Sequence, residues 1–226
     1  MKLRISPSTL ENFRVCRLGL FNKTDLDFIA DLKRERQKTE AMSLGSAFHA
    51  IIENGDVYPA PELDPGSQLV FEPELGVTWL FKKAAVLRAL VYRREYSPLI
   101  HEIPGQLITQ IENYEVVSNL RIDGAQGLLL HEVKTTSSTF PIDREKFYDS
   151  VQWRMYCLVT GAFAVKYTIF KVEKSKTNAR IIEDMKPDSF EFYAEVRDKS
   201  YVEHWMKELI FFLEKRGLLH LVELKN

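Results

Sequence analysis

Three short runs in the middle of this chain constrain its fold more than anything else in it. Residues 107–111, 115–122 and 127–134 are dense in Ile, Val, Leu and other strand-favouring side chains, and they read as consecutive β-strands. On either side the apolar residues recur every three or four positions instead of every two, which is the period of a helix. A sheet with helices before and after it has to bury its faces against them. The expected class is therefore α/β, a central mixed β-sheet flanked by helices, with an N-terminal helical elaboration. At 226 residues with 45% hydrophobic content, the chain can bury a sizeable core. It is predicted to form a single domain over 1–226, with a helical part at about 1–100 and a core at about 101–226.

The remaining elements follow from breakers and caps. Ser8 and Glu11 have capping-box spacing, so a first helix is predicted to start near Ser8. The charged run 33–38 reads as a solvated helix end. A second helix is predicted over 43–53, followed by a loop in which Pro59, Pro61 and Pro65 exclude regular structure until about Gly66. Leu80, Ala84, Leu87 and Val91 predict a third helix over 78–94. Asp123, Gly124 and Gly127 supply turn residues between the second and third strands. Beyond them lie a helical stretch over 143–159, strands over 162–172 and 189–196, and a closing helix over 200–216. Val202, Trp205, Leu209 and Phe212 form the apolar side of that last helix, and Gly217 ends it.

Composition removes several function classes. The longest apolar runs fall well short of the ~20 residues that a membrane span needs, and the first residues lack the apolar region of a signal peptide. A soluble, cytoplasmic protein with no membrane partner is expected. Cys16 and Cys157 are too few for a disulfide framework and are not spaced as a zinc pair, so both read as buried thiols. A formal charge of −1 decides nothing about nucleic acid, because positive charge can be concentrated in one groove.

The chemistry collects around the turn. Asp123 ends one strand and Glu132 lies in the next, so a short connection brings two carboxylates to the same end of the sheet. Glu132 and Lys134 are two apart and share a face. Hard oxygen ligands suit Mg²⁺ or Mn²⁺, which activates water, and a nearby ammonium stabilises charge developing on a phosphate. An isolated Glu-x-Lys is ordinarily an exposed cross-strand ion pair, so the neighbours have to decide. In the segment 43–53, small residues Gly45, Ser46 and Ala47 allow close packing, and His49 and Glu53 share a helical face. Gln152 and Tyr156 share another. Each alone is ordinary, since such a histidine is usually packed and such a pair usually lies on a helix surface.

In this order the segments SPSTLENFRVC, GSAFHAIIE, NLRID, LLLHEVKTTS and DSVQWRMYCLVTG, with the strand AFAVKYTIFKV, resemble the RecB-like exonuclease branch of the PD-(D/E)XK nucleases. The resemblance spans about residues 6–172 and implies a restriction-endonuclease-like core. It implies that His49, Asp123, Glu132 and the carbonyl of Val133 bind a divalent metal, Mg²⁺ or Mn²⁺. Lys134 then positions water or stabilises the transition state, and Gln152 and Tyr156 steer the DNA strand or orient catalytic groups. The implied partner is single- or double-stranded DNA, and the implied setting is recombination, repair or phage DNA processing. Leu120 stands where many relatives have glycine, three residues before the first carboxylate. The branch similar to CRISPR-adaptation nucleases holds an iron–sulfur cluster on four cysteines, which two cysteines cannot supply. No G-x-x-x-x-G-K-[ST] loop is present, so unwinding would fall to a helicase or recombination partner. Trp153, Arg154, Arg144 and Lys146 are candidate DNA contacts because they neighbour Gln152. The alternatives are an inactive nuclease fold that binds DNA or protein, and a structure-specific endonuclease.

Overall fold

The computed structural model describes residues 1–33, 38–55, 65–95, 100–137 and 141–224. The expectations for Pro59, Pro61 and residues 34–37 fall outside these. Strand β1 (Lys2–Arg4) leads into helices α1 (Pro7–Arg17), α2 (Asp25–Leu32) and α3 (Glu40–Asn54), with a 3₁₀ turn at Leu20–Asn22 between the first two. Strands β2 (Gln68–Glu72) and β3 (Val77–Phe81), helix α4 (Lys83–Glu95), and strands β4 (Ile100–Ile111), β5 (Tyr114–Gln126) and β6 (Leu129–Thr136) follow. Then come α5 (Arg144–Tyr148), α6 (Val151–Thr160), β7 (Ala164–Lys174), β8 (Ile181–Tyr193) and α7 (Asp198–Lys215).

All eight strands join one mixed sheet in the order β1-β5-β6-β7-β8-β3-β2, with β4 also paired to β5. Strand β4 runs antiparallel along one edge of β5, from Ile111↔Tyr114 to Ile100↔Ala125. The opposite edge of β5 is shared. Its start pairs with β1, up to Arg4↔Val117, and its end pairs with β6, from Gly124↔His131 to Gln126↔Leu129. Residues 118–123 pair with neither of those strands. Along the seam they leave, β5 and β6 part company while β6 keeps its parallel register with β7.

The period of two along the central strands sorts side chains into two cores. Leu130 and Tyr167 turn into one, with Leu10 and Phe13 of α1, Trp153 of α6 and Leu209 of α7. Val133 and Phe170 turn into the other, with Leu44, Phe48 and Ile51 of α3, Ala85 of α4 and Trp79 of β3. Each fully buried large apolar side chain contributes about 1.5–3 kcal/mol, so both layers are firmly attached to the sheet.

Several boundaries differ from the sequence expectation, each for a local reason. Helix α1 is capped by Ser6 rather than Ser8, the Ser6 hydroxyl accepting from Thr9 N–H at 3.1 Å, with Pro7 as the first helical residue; proline is pre-organised there. The predicted helix 78–94 divides into β3 and α4. Val77, Trp79 and Phe81 alternate inward and pair with β2, so tertiary pairing overrides the helical period, and Leu87 and Val91 are left exposed. The turn expected over 123–127 is shorter: β5 continues to Gln126, and Gly127, at φ 62°, makes the turn, leaving Asp123 inside the strand. The helical stretch 143–159 is broken at Ser150, which caps α6 by accepting from Gln152 N–H at 3.2 Å. Strand β8 starts at Ile181 and tolerates Pro187 because β3 pairs only with Ile181 and Ile182, leaving an edge where a missing N–H does no harm. The first hundred residues are also not purely helical, since they supply β1, β2 and β3.

Candidate active site

The candidate residues meet at the seam between β5 and β6, and the Val133 peptide is where they join. Its N–H donates to Asp123 Oδ2 at 2.8 Å, replacing the ladder hydrogen bond lost where the strands part. Its carbonyl lies 3.2 Å from His49 Nε2. His49 is carried by α3 from the second layer. Close approach of that helix depends on Gly45, where an added Cβ would lie 3.2 Å from Thr135 Oγ1. Small residues therefore allow α3 to lie against β6, as the sequence suggested.

From the other face of β6, Glu132 forms an ion pair with Lys134, as the two-residue spacing requires. Glu132 is only 2% exposed. Its Oε2 is buried and has no hydrogen-bond partner among the described residues. Burial pushes this carboxyl up to about 7, Asp123 adds to the shift, and Lys134 opposes it. Burial works to lower Lys134, yet Glu132, with help from Asp123 and Glu11, raises it overall. Lys134 is thus held as an ammonium beside a carboxylate pair.

Helix α6 covers this face. Gln152 Nε2 donates to Tyr156 Oη at 2.6 Å, so the two residues four apart do act as a unit. Burial raises the Tyr156 phenol well above its usual range and the Glu132 charge raises it further, which keeps it a hydrogen-bond donor rather than a phenolate. Trp153 and Arg154, expected as DNA contacts, are not at the surface. Trp153 is fully buried, and Arg154 is 3% exposed and pairs with Asp198 at 2.8 Å. Arg144 and Lys146 remain accessible, paired with Asp188 and Asp143 respectively.

Two acidic groups at the site escaped sequence reasoning. Glu11, read only as a capping residue, instead accepts from the Val151 N–H at 2.8 Å and pairs with the buried Arg14 at 2.7 Å, tying α1 to the start of α6. Glu102 occupies the β4 position opposite Asp123, where the ladder skips a pair, and has φ 51°. It pairs with Arg121. Glu53, one helical turn beyond His49, is raised first by burial and then by Glu102, with His49 opposing. A contact between segments far apart in sequence leaves no mark in local periodicity, which is why neither role was visible. His131 stands next to Glu132 but on the opposite face of β6, where burial and then Lys166 push it down to about 4. It stays neutral. Cys16 and Cys157 are both buried thiols, and burial pushes Cys157 up to about 12.

Does this set fit a divalent cation? The donors are two carboxylates, an imidazole and a carbonyl, the hard-to-borderline chemistry that Mg²⁺ and Mn²⁺ accept. The separation of His49 Nε2 and the Val133 oxygen is close to the edge of an octahedron of such ligands, about 3 Å. An unpartnered oxygen of a buried carboxylate costs more than the roughly 1–3 kcal/mol of a neutral group, and a cation would satisfy it. The fit is good although, among the described residues, no three acidic, histidine or cysteine side chains form a ready-made cluster.

A mixed sheet between two helical layers, with Asp123, the buried Glu132 and the partly exposed Lys134 gathered where two strands separate, is the arrangement expected of a phosphodiester-hydrolysing nuclease. The chain belongs to the PD-(D/E)XK nuclease superfamily, whose sequence profile matches residues 4–215. Among solved structures, the SSO0001 protein aligns with a TM-score of 0.53 at 11% identity, covering 94% of this chain and 77% of that one. A candidate exonuclease from Eubacterium rectale aligns with a TM-score of 0.50 at 14% identity, covering 95% and 82%. At these identities the likeness is one of fold. No curated protein sequence matches the chain. No helix among the described residues is long and apolar enough to cross a membrane.

Proposed function

We propose that this protein is a Mg²⁺- or Mn²⁺-dependent deoxyribonuclease that removes nucleotides from DNA ends. The observation that carries the reading is the Glu132 carboxylate, buried with one oxygen unpartnered, ion-paired to Lys134 and close to the Asp123 that holds the Val133 peptide. His49, Asp123, Glu132 and the Val133 carbonyl hold the cation. When bound, the cation lowers the pKa of a coordinated water and neutralises charge on the phosphate. Lys134 presents its ammonium to the phosphate as negative charge builds there. Asp123 fixes the Val133 peptide through its N–H and so aims the carbonyl at His49. Gln152 offers donors to the DNA backbone and the buried Tyr156 orients it through their hydrogen bond, while Glu11 holds the first turn of their helix.

The test is incubation with linear, circular, single- and double-stranded DNA in Mg²⁺, Mn²⁺ or excess chelator. Cleavage of linear DNA only, abolished by chelator, is the expected result. Full cleavage in chelator would remove the metal from the mechanism, and cutting of closed circles would make the enzyme an endonuclease. Gln152→Ala and Tyr156→Phe are each expected to slow cleavage about tenfold, the scale of one lost hydrogen bond to a charged group, with cation affinity unchanged. Wild-type kinetics in both would return the pair to an ordinary helix surface.

A further inference from the structure

The turn after α1 places an aromatic ring where it costs most. Phe21 has φ 55° and ψ 30°, and Asn22 next to it has φ 57°. The left-handed region is uncommon for non-glycine residues and an outlier for bulky ones. The ring gains little burial in return, being 61% exposed. The turn is nevertheless firmly set. Gly19 N–H donates to the Cys16 carbonyl and Lys23 N–H to that of Leu20, both at 3.1 Å. Lys23 Nζ donates to Asn12 Oδ1 at 3.0 Å, and Asn12 in turn donates to Asp31 at 2.9 Å. Over this exposed ring stands Lys146 Nζ, 5.0 Å from the centroid, its one ion-pair partner among the described residues being Asp143 at 3.3 Å.

The position relates this pair to the candidate active site. Lys146 belongs to α5, which leads through Ser150 into α6 and Gln152. Phe21 follows α1, whose Glu11 binds the first turn of α6. The rise of α1 from Glu11 to its end is on the order of 10 Å, so a few nucleotides of extended strand bridge the two places. An exposed ring gives a nucleobase a face to stack on, and an ammonium beside it takes the neighbouring phosphate. We propose that Phe21 and Lys146 form a stacking subsite for one base of a single-stranded DNA segment leading to the Lys134 site. The inference rests on the nuclease reading above and deepens it. Trp153, the aromatic among the DNA-contact candidates that neighbour Gln152, is buried, and Phe21 takes its place.

The experiment measures binding of a fluorescein-labelled twelve-nucleotide oligothymidylate by anisotropy in Ca²⁺, alongside DNA cleavage in Mg²⁺ and melting temperature. Phe21→Ala, Phe21→Leu and Phe21→Gly are expected to weaken binding about 5- to 100-fold, and Phe21→Trp to keep or tighten it. Phe21→Gly is further expected to keep or raise the melting temperature, because glycine adopts the left-handed backbone without strain. A purely structural ring would give the opposite pair of results, lower melting with unchanged binding, and that outcome overturns the subsite. Leucine binding as tightly as phenylalanine overturns it too, since the contact would then be apolar and not stacked. If wild type cleaves DNA while all four variants bind normally, the subsite fails and the nuclease reading stands. If wild type neither binds nor cleaves DNA, both fail.

Discussion

Lys134→Ala is expected to lower kcat by about 10²–10³-fold or more while leaving cation affinity and most DNA affinity in place. The magnitude is that of removing one donor aimed at transition-state charge. Lys134 makes its ion pair with Glu132 on the same face of β6 and contributes no donor atom to a cation. Its removal has one side effect to control for. Lys134 is the neighbour that opposes the upward shift of Glu132, so without it the carboxyl holds its proton to higher pH. Cation binding should therefore be compared at pH 8 or above, by Mn²⁺ titration, with circular dichroism to verify folding. Wild-type turnover in Lys134→Ala would end the catalytic assignment, and absence of any cleavage by wild type would leave a DNA- or protein-binding module.

Glu132→Ala should behave differently, losing cation affinity and cleavage together. It removes one of two fixed negative charges that offset the dehydration of Mg²⁺ or Mn²⁺. The raised carboxyl adds a pH dependence whose sign can be worked out. In the folded, metal-free protein Glu132 titrates at about 7 instead of 4.5, so the folded state binds the extra proton more tightly than the unfolded one. The stability tied to this group is present below about 4.5 and is lost as pH rises through about 7. A cation competes with that proton. Apparent Mn²⁺ affinity is expected to fall by about tenfold per pH unit below 7, and Mn²⁺ to raise the melting temperature more at pH 8 than at pH 6. A Glu132→Ala protein that binds Mn²⁺ like wild type, or equal stabilisation at both pH values, would remove Glu132 from the ligand set.

How much of this was legible in the sequence depends on whether the information was local. The Glu132–Lys134 ion pair and the Gln152–Tyr156 hydrogen bond follow from the period of a strand and of a helix, and both were readable. The α/β class followed from the order of those periods. What lay hidden was set by pairing between distant segments. Residues 78–94 carry apolar side chains at both periods, and only the register of Trp79 with Val70 makes the first part a strand. The turn was misplaced because Asp-Gly is a strong turn signal, whereas Gly124 sits opposite His131 inside the ladder. Trp153 and Arg154 were candidate DNA contacts because they neighbour Gln152, yet Asp198, 44 positions away, draws the guanidinium inward. Glu11 and Glu102 depend in the same way on Val151 and Arg121, partners that no local pattern announces.

The division of the interior into two cores has a consequence for how the molecule tolerates change. His49 is fastened to the core shared by α3, α4 and Val133, while Tyr156 is fastened to the core shared by α1, α6 and α7. The two sets of side chains that converge on the seam are therefore anchored in separate bodies of packing on opposite faces of one sheet, and their mutual alignment depends on both. Repacking either interior shifts one set against the other. Drift of a few tenths of an ångström, harmless to folding, becomes a misalignment at the seam. Chemistry is thus the first property such a molecule surrenders and folding the last, and each layer's hydrophobic residues are constrained by the partner layer they never touch.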